Sequence, residues 1–209
     1  MKNLKDKSVN WGTSQGVQLF TDLLKENKII LGPSDTVLGL YGLPLQEVFL
    51  GLNKLKNRCE KPYLLLVRDQ KVAAEYVKKG QLEKFQKVFD ACWPGPLTVI
   101  AQAKEGLPFW ITSGQKTVAL RVPQHRILKE VLGSLSTLFS TSANLAGQHV
   151  PLQIEDVDQS IRDSVDAIVE DYSLQSSVPS TLIDISSGDL KVIREGVYTK
   201  KDLLKIIAE

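Results

Sequence analysis

Cysteine and histidine are scarce in this sequence, with two of each among 209 residues. Cys59 and Cys92 form no CxxC pair and read as bystander or buried thiols. Neither His125 nor His149 has a partner at zinc-ligand spacing, so no metal cage of protein ligands is expected. So few thiols fit a reducing compartment, and a cytoplasmic location is the expectation. Long apolar runs are missing too. Stretches such as Leu64-Leu65-Leu66-Val67 fall far short of the ~18 residues that a membrane span needs. The opening MKNLKDKSVNW carries charge with no apolar stretch after it and does not read as a secretory signal. Neither sign of charge dominates: 26 basic against 24 acidic residues leave +2. The isoelectric point near 8.4 stops short of the ~9 expected of a dedicated nucleic-acid domain, although it leaves room for a local basic groove. Also absent are GxxxxGK[ST], a GxGxxG after a strand, and GxSxG. Their absence leaves a P-loop, a Rossmann cofactor site and a nucleophile elbow without support.

What is present reads as an ordinary globular protein, 43% hydrophobic and 24% charged. A chain of this length buries roughly 70% of its unfolded surface without needing a staple. Val17, Phe20, Leu23 and Leu24 mark one helical face, with Ser14 as N-cap and Asn27 as stop. A buried strand over 28–31 ends at Gly32-Pro33. Pro44 opens a helix that carries Val48, Phe49, Leu52 and Leu55 and runs out at Lys56-Asn57-Arg58. A strand over 63–67 follows, then a helix capped by Asp69 and ending at Gly80. A further helix with Leu82, Phe85, Val88 and Phe89 leads to the rigid turn Trp93-Pro94-Gly95-Pro96. Strands are expected over 97–101, 118–122, 137–140, 167–169, 180–185 and 192–194, with a hairpin-like turn at 186–189. Helical patches fall at 127–132, 155–161 and 203–207, the last capped by Thr199. Adjacent strands late in the chain argue against regular βαβ alternation. The expectation is one α/β or α+β domain over 1–209, a mixed twisted sheet with helices packed on it.

Polar residues collect where strands end, the place where open α/β sheets bind ligands. Pro33-Ser34-Asp35-Thr36 offers hydroxyls and backbone N–H groups to a small anionic or zwitterionic ligand, or is a capped turn. Lys54, Lys56, Arg58 and Lys61 put four cations within eight residues. A helix C-terminus accounts for them, and so would a nucleotide's phosphates. Arg121 interrupts the apolar run Val118-Ala119-Leu120-Arg121-Val122. A charge among buried neighbours needs a partner, either a structural ion pair or a ligand carboxylate. Ser140-Thr141-Ser142-Ala143-Asn144 suits a nucleotide wall or a helix N-cap cluster. Ser180 and Arg194 say little singly.

In order along the chain, PSDTVLGL, KNRCEKPYLLLV, WPGPLTVIA, TVALRVPQH, STSANLAG, STLIDI and VIREG resemble the YrdC-like family, the threonylcarbamoyl-AMP synthases. These pieces span positions 33 to 196, and the family's KxR…SxN signature stands here as Lys56-Asn57-Arg58 and Ser142-Ala143-Asn144. The resemblance implies a single domain with a twisted, largely antiparallel sheet around a deep, positively charged cavity. It implies a nucleotidyltransferase that joins L-threonine, bicarbonate and ATP into threonylcarbamoyl-adenylate with release of pyrophosphate. Partner enzymes would then pass the threonylcarbamoyl group to tRNA. By the family pattern Arg121 receives the threonine carboxylate, Ser34 and Ser180 assist, and Ser140 touches either ligand. Lys56, Arg58, Lys61, Thr117, Ser142, Asn144 and Arg194 would surround ATP, with Lys56 and Arg58 neutralising charge in catalysis, and Mg²⁺ would be held mainly through the ATP phosphates. The sequence departs from the family in carrying Ser34 and Leu38 where Thr and Tyr are usual. It also has a shorter step from Arg58 to Lys61, and Val150-Pro151-Leu152 in place of SPT. The alternative is a non-catalytic module holding double-stranded RNA or tRNA; the modest charge and the lack of a stacking aromatic pattern favour the enzyme.

Overall fold

In the computed structural model, which describes residues 8–58, 61–169 and 178–208, ten strands join in one sheet. They are β1 (Ser8–Val9), β2 (Ile30–Gly32), β3 (Gly39–Gly42), β4 (Leu64–Val67), β5 (Leu97–Gln102), β6 (Thr117–Arg121), β7 (Thr137–Ser142), β8 (Ala167–Val169), β9 (Thr181–Asp184) and β10 (Lys191–Arg194). Their spatial order is β1-β8-β2-β3-β7-β4-β6-β5-β9-β10. Five neighbouring pairs are antiparallel and four parallel, so the sheet is mixed, as the strand spacing predicts. Cys59 lies outside the described residues.

Eight α-helices accompany the sheet among the described residues: α1 (Ser14–Lys25), α2 (Gln46–Lys56), α3 (Gln70–Ala74), α4 (Gln86–Cys92), α5 (Phe109–Thr112), α6 (Arg126–Leu135), α7 (Gln159–Ser164) and α8 (Lys200–Ala208). None is long and apolar enough to cross a membrane. The cap of α1 is Thr13, whose side chain accepts from the Gly16 N–H, and not Ser14. Pro44 stands just before the cap Leu45 of α2 instead of inside the helix. The helix capped by Asp69 ends at Ala74, well short of Gly80, because Val77 leaves it to form a bridge with Ala103. Cys92 is a buried free thiol.

Strand alternation divides the side chains between two faces. Leu31, Leu40, Leu65, Val67, Val99, Leu120, Phe139 and Ile183 form one large core with Phe49 and Leu52 of α2, Phe89 of α4, Ile161 of α7 and Leu203 of α8. On the opposite face, Ile30, Tyr41, Leu66 and Leu138 pack against Phe20 and Leu24 of α1 and Leu128, Val131 and Leu132 of α6. That second cluster takes in none of the residues of β5, β6, β9 or β10. Thr98, Ala119, Arg121 and Leu182 therefore line a hollow in this stretch of sheet.

Candidate functional site

The hollow is built on strand register. Leu64 pairs with both Ala119 and Ser140, Leu66 with Arg121, Thr98 with Leu182, and Leu182 with Arg194. Arg121 is the odd member of an otherwise apolar strand because Val118, Leu120 and Val122 enter the core while Ala119 and Arg121 face the hollow. Its guanidinium is almost wholly enclosed, at 3% exposure, and lies 3.3 Å from the Asp35 carboxylate, itself 6% exposed. Nη1 donates to the Thr36 hydroxyl at 2.8 Å, while Nε has no hydrogen-bond partner among the described residues. The Asp35 carboxylate also accepts the Gln124 N–H at 2.9 Å. Of the two partners open to Arg121, the ion pair is therefore present, and the side chain still borders a cavity of about 330 Å³.

The turn that carries Asp35 is fixed from within. The Ser34 hydroxyl accepts the N–H groups of Thr36 and Val37 at 3.0 and 3.2 Å and donates to the Val37 carbonyl at 2.8 Å. Ser34 is thus a turn cap as well as a lining residue. From β3 the buried Tyr41 hydroxyl donates to the Pro33 carbonyl at 2.7 Å, and burial pushes its ionisation well above the usual phenol range. At the other wall Ser180 shares a 2.7 Å hydroxyl–hydroxyl bond with Thr98, and Arg194 Nη2 donates to the Ser180 carbonyl at 2.8 Å. Gly196 passes so close to this wall that a Cβ would lie 2.2 Å from the Pro179 carbonyl oxygen.

A second hollow of about 380 Å³ adjoins the first, lined by Lys56, Arg58, Lys61, Ser142 and Asn144 among others. Arg58, Thr141 and Ser142 border both. Asn57 ends α2 in the left-handed region, φ 46°, a conformation Asn tolerates. Beyond it Arg58 stands out of the helix with its guanidinium 5.0 Å from the Tyr63 ring centroid. One Arg58 nitrogen donates to the Pro62 carbonyl at 3.0 Å, while Nε has no hydrogen-bond partner among the described residues. Lys56 is differently placed. Its ammonium donates to the carbonyls of Ser142 and Asn144 at 2.5 and 2.7 Å and reaches the Asn144 side-chain oxygen at 3.5 Å. All three of its protons are occupied by one turn. Ser142 donates to that same amide oxygen, and Asn144 Nδ2 donates to the Gln148 carbonyl at 2.6 Å. Lys56, expected to meet phosphate, ties this turn to the end of α2, and among the described residues Arg58 and Lys61 are the other cations of this hollow.

Burial, reinforced by the nearby Arg58 charge, pulls the Lys56 ammonium down from 10.5 to about 8. Between these values the unfolded chain holds a proton that the folded chain lacks, so stability rises with pH across that window and is flat below it. Unfolding free energy measured by urea from pH 7 to 10 should climb, by at most about 1.4 kcal/mol per pH unit, and Lys56→Met should flatten the climb. Equal slopes for the two proteins would remove Lys56 as its source.

The structure brings Ser34, Arg121, Ser140, Ser142, Ser180, Arg58 and Arg194 to the first hollow, and Lys56, Lys61 and Asn144 to the second. Thr117 shares the face of Ala119 and Arg121 one step beyond Ala119, and is not among the residues lining either hollow. Sequence reasoning missed Thr98 and Tyr63 as site residues, and named Thr36 and Asp35 only as members of the turn 33–36. The Asp35–Arg121 pair was legible from Asp35 as the one carboxylate of PSDTVLGL, and Thr98 from its place in phase with Arg121 on a buried strand. Among the described residues neither hollow is lined by Asp or Glu, a donor set that does not by itself hold Mg²⁺.

The chain is similar to known proteins in sequence and in fold. A threonylcarbamoyl-AMP synthase of Idiomarina loihiensis is 34% identical over 161 residues, covering 75% of this chain and 86% of its own. One from Pyrococcus abyssi is 26% identical over 210 residues, covering 99% of this chain, which spans only 60% of that relative's length. The crystal structure of P. abyssi Sua5 complexed with L-threonine superposes with a TM-score of 0.85 at 24% identity, over 97% of this chain and 60% of that one. Residues 22–196 match the Sua5/YciO/YrdC family, described as telomere recombination. With the motifs in order and the sheet shared, the chain belongs to that Sua5/YciO/YrdC family.

Proposed function

We propose that this chain makes threonylcarbamoyl-AMP and pyrophosphate from L-threonine, bicarbonate and ATP, as a nucleotidyltransferase whose single domain carries the whole site. The observation that carries the reading is a guanidinium suited to a carboxylate, Arg121, beside a hollow that holds Arg58 and Lys61. An amino acid and a triphosphate then meet at the shared wall of Arg58, Thr141 and Ser142. Relatives that bear the synthase name, and a solved relative complexed with L-threonine, support the assignment.

The chemistry needs no protein nucleophile. The threonine amine attacks carbon dioxide derived from bicarbonate, forming the N–C bond and losing a proton. A carbamate oxygen then attacks the α-phosphorus, the new O–P bond replacing the bond to the departing pyrophosphate. The protein's part is positioning and neutralisation of charge. Arg121 holds the carboxylate, with its ion pair to Asp35 keeping the guanidinium in place. Thr98, Ser180 and Ser34 present hydroxyls around the amino acid, and Ser140 lies between the two ligands. Arg58, Lys61 and Arg194 take the phosphates, with Ser142 and Asn144 shaping the wall. Lys56 acts by position, tying the turn at Ser142 and Asn144 to the end of α2. Mg²⁺ carried in on the ATP phosphates would neutralise part of their charge. The product is a mixed anhydride suited to transfer onto tRNA by partner enzymes, in the reducing cytoplasm where Cys92 stays a thiol.

The test is pyrophosphate release from the purified chain with ATP, bicarbonate and L-threonine, leaving out one component at a time. Release should vanish without threonine and fall sharply in bicarbonate-depleted buffer. Release that ignores threonine, or salt-sensitive binding of double-stranded RNA with no release at all, would overturn the proposal.

A further inference from the structure

Tyr41 stands where the second core gives way to the first hollow. It is fully enclosed, and its ring meets that of Phe20 in α1 edge to face, with 6.3 Å between centroids. In β3 it pairs with Ile30 on one side and with Ser140, a residue of the hollow, on the other. The ring does not stay over its own position. Two residues back along the strand stands Gly39, which pairs with Gly32 of β2. A Cβ at Gly39 would come within 3.1 Å of the Tyr41 hydroxyl oxygen, and one at Gly32 within 3.8 Å of the ring. The two glycines thus leave a trough along which the ring lies. Its far end reaches the loop that joins β2 to β3, where the hydroxyl donates to the carbonyl of the buried Pro33 at 2.7 Å.

Packing alone would be satisfied by a phenylalanine, as it is at Phe20 in the same cluster. A hydroxyl taken out of water is costly unless it is bonded. Here the bond is made at the head of the loop that builds the surroundings of Arg121. From Pro33 the chain runs straight into Ser34, Asp35 and Thr36. Thr36 accepts from the Arg121 guanidinium, Asp35 pairs with it, and Asp35 also takes the Gln124 N–H. A displacement at Pro33 therefore reaches the carboxylate two residues on, and a carboxylate that shifts takes the guanidinium with it. Misplacement of a positioned group by about 1 Å is enough to be felt at a reacting centre.

We propose that Tyr41 is a positioning residue for the amino-acid end of the site, holding the 33–36 loop so that Asp35 and Thr36 aim Arg121 into the hollow. The link to threonine rests on the reaction assigned above; the hold on the loop does not. The test is Tyr41→Phe in the full chain, which keeps the ring in its trough and removes the bond. The N–H groups of Thr36, Val37 and Gln124 are bonded to Ser34 and Asp35. In hydrogen exchange they should become about tenfold faster, while amides of the β5–β6 ladder keep their rates. In steady-state pyrophosphate release, KM for threonine should rise about tenfold with KM for ATP unchanged. A mere loss of folded protein would lower the apparent kcat and leave both KM values in place. Should the parent protein ignore threonine, the reaction assignment falls and the exchange rates alone decide the role of Tyr41. Unchanged exchange at those three amides, or a KM for ATP that rises as much as that for threonine, would overturn the proposal.

Discussion

Replacing Arg58 with alanine should slow threonine-dependent pyrophosphate release by about 10²–10³, the scale for removing one preorganised donor to developing charge. Its fold should survive, because Arg58 makes one bond to a carbonyl and one ring contact, together worth about 1–2 kcal/mol. Lys56→Met should slow the reaction by a similar factor for a different reason. It strands the carbonyls of Ser142 and Asn144, which lose a charged donor; about 1–3 kcal/mol for each buried acceptor is the expected cost. Thermal unfolding separates the two cases, the Lys56 variant melting well below the Arg58 variant. In steady-state kinetics Lys56→Met should raise KM for ATP as the wall shifts, while Arg58→Ala should act mainly on kcat. A Lys56 variant as stable as the parent would refute its role as a tie, and normal turnover in Arg58→Ala would remove that residue from the chemistry.

The second large effect is on folding. Arg121→Leu leaves Asp35, at 6% exposure, without its cation. Breaking a buried pair from one side costs about 3–5 kcal/mol, whereas removing both charges costs far less. Urea unfolding should therefore show a large loss for Arg121→Leu and recovery of more than half of it in Asp35→Asn/Arg121→Leu. Both variants should lose turnover, since neither presents a guanidinium to the amino acid. A double variant no more stable than the single would show that the ion pair is not what holds this turn.

Much of this was readable from residue order. Alternation within 97–101, 118–122 and 137–140 gave three central strands, and 3.6-residue spacing gave α1, α2 and α6. The strand β3 was not readable, because Gly39-Leu40-Tyr41-Gly42 begins and ends on the residue type least suited to a strand. It exists because β2 and β7 flank it with complete antiparallel ladders. The end of α3 was missed because the competing partner, Ala103, is distant in sequence. The site shows the same division. Side chains that can bind charge could be named one by one, so Arg121 and Arg58 were found. The partners of Lys56 are main-chain carbonyls, which every residue possesses, and no pattern of letters distinguishes them. Thr117 shares the alternation phase of Arg121, but phase alone does not fix how far along the strand a hollow extends.

The pairing of strands that builds the first hollow has a kinetic side. Ser34, Arg58, Arg121, Ser142, Ser180 and Arg194 meet there, although they are drawn from nearly the whole length of the chain. Loops between such distant positions close late and slowly. The last wall of the pocket, Ser180 and Arg194, can therefore form only once β9 has docked beside β5 and β10 beside β9, after the rest of the chain has left the ribosome.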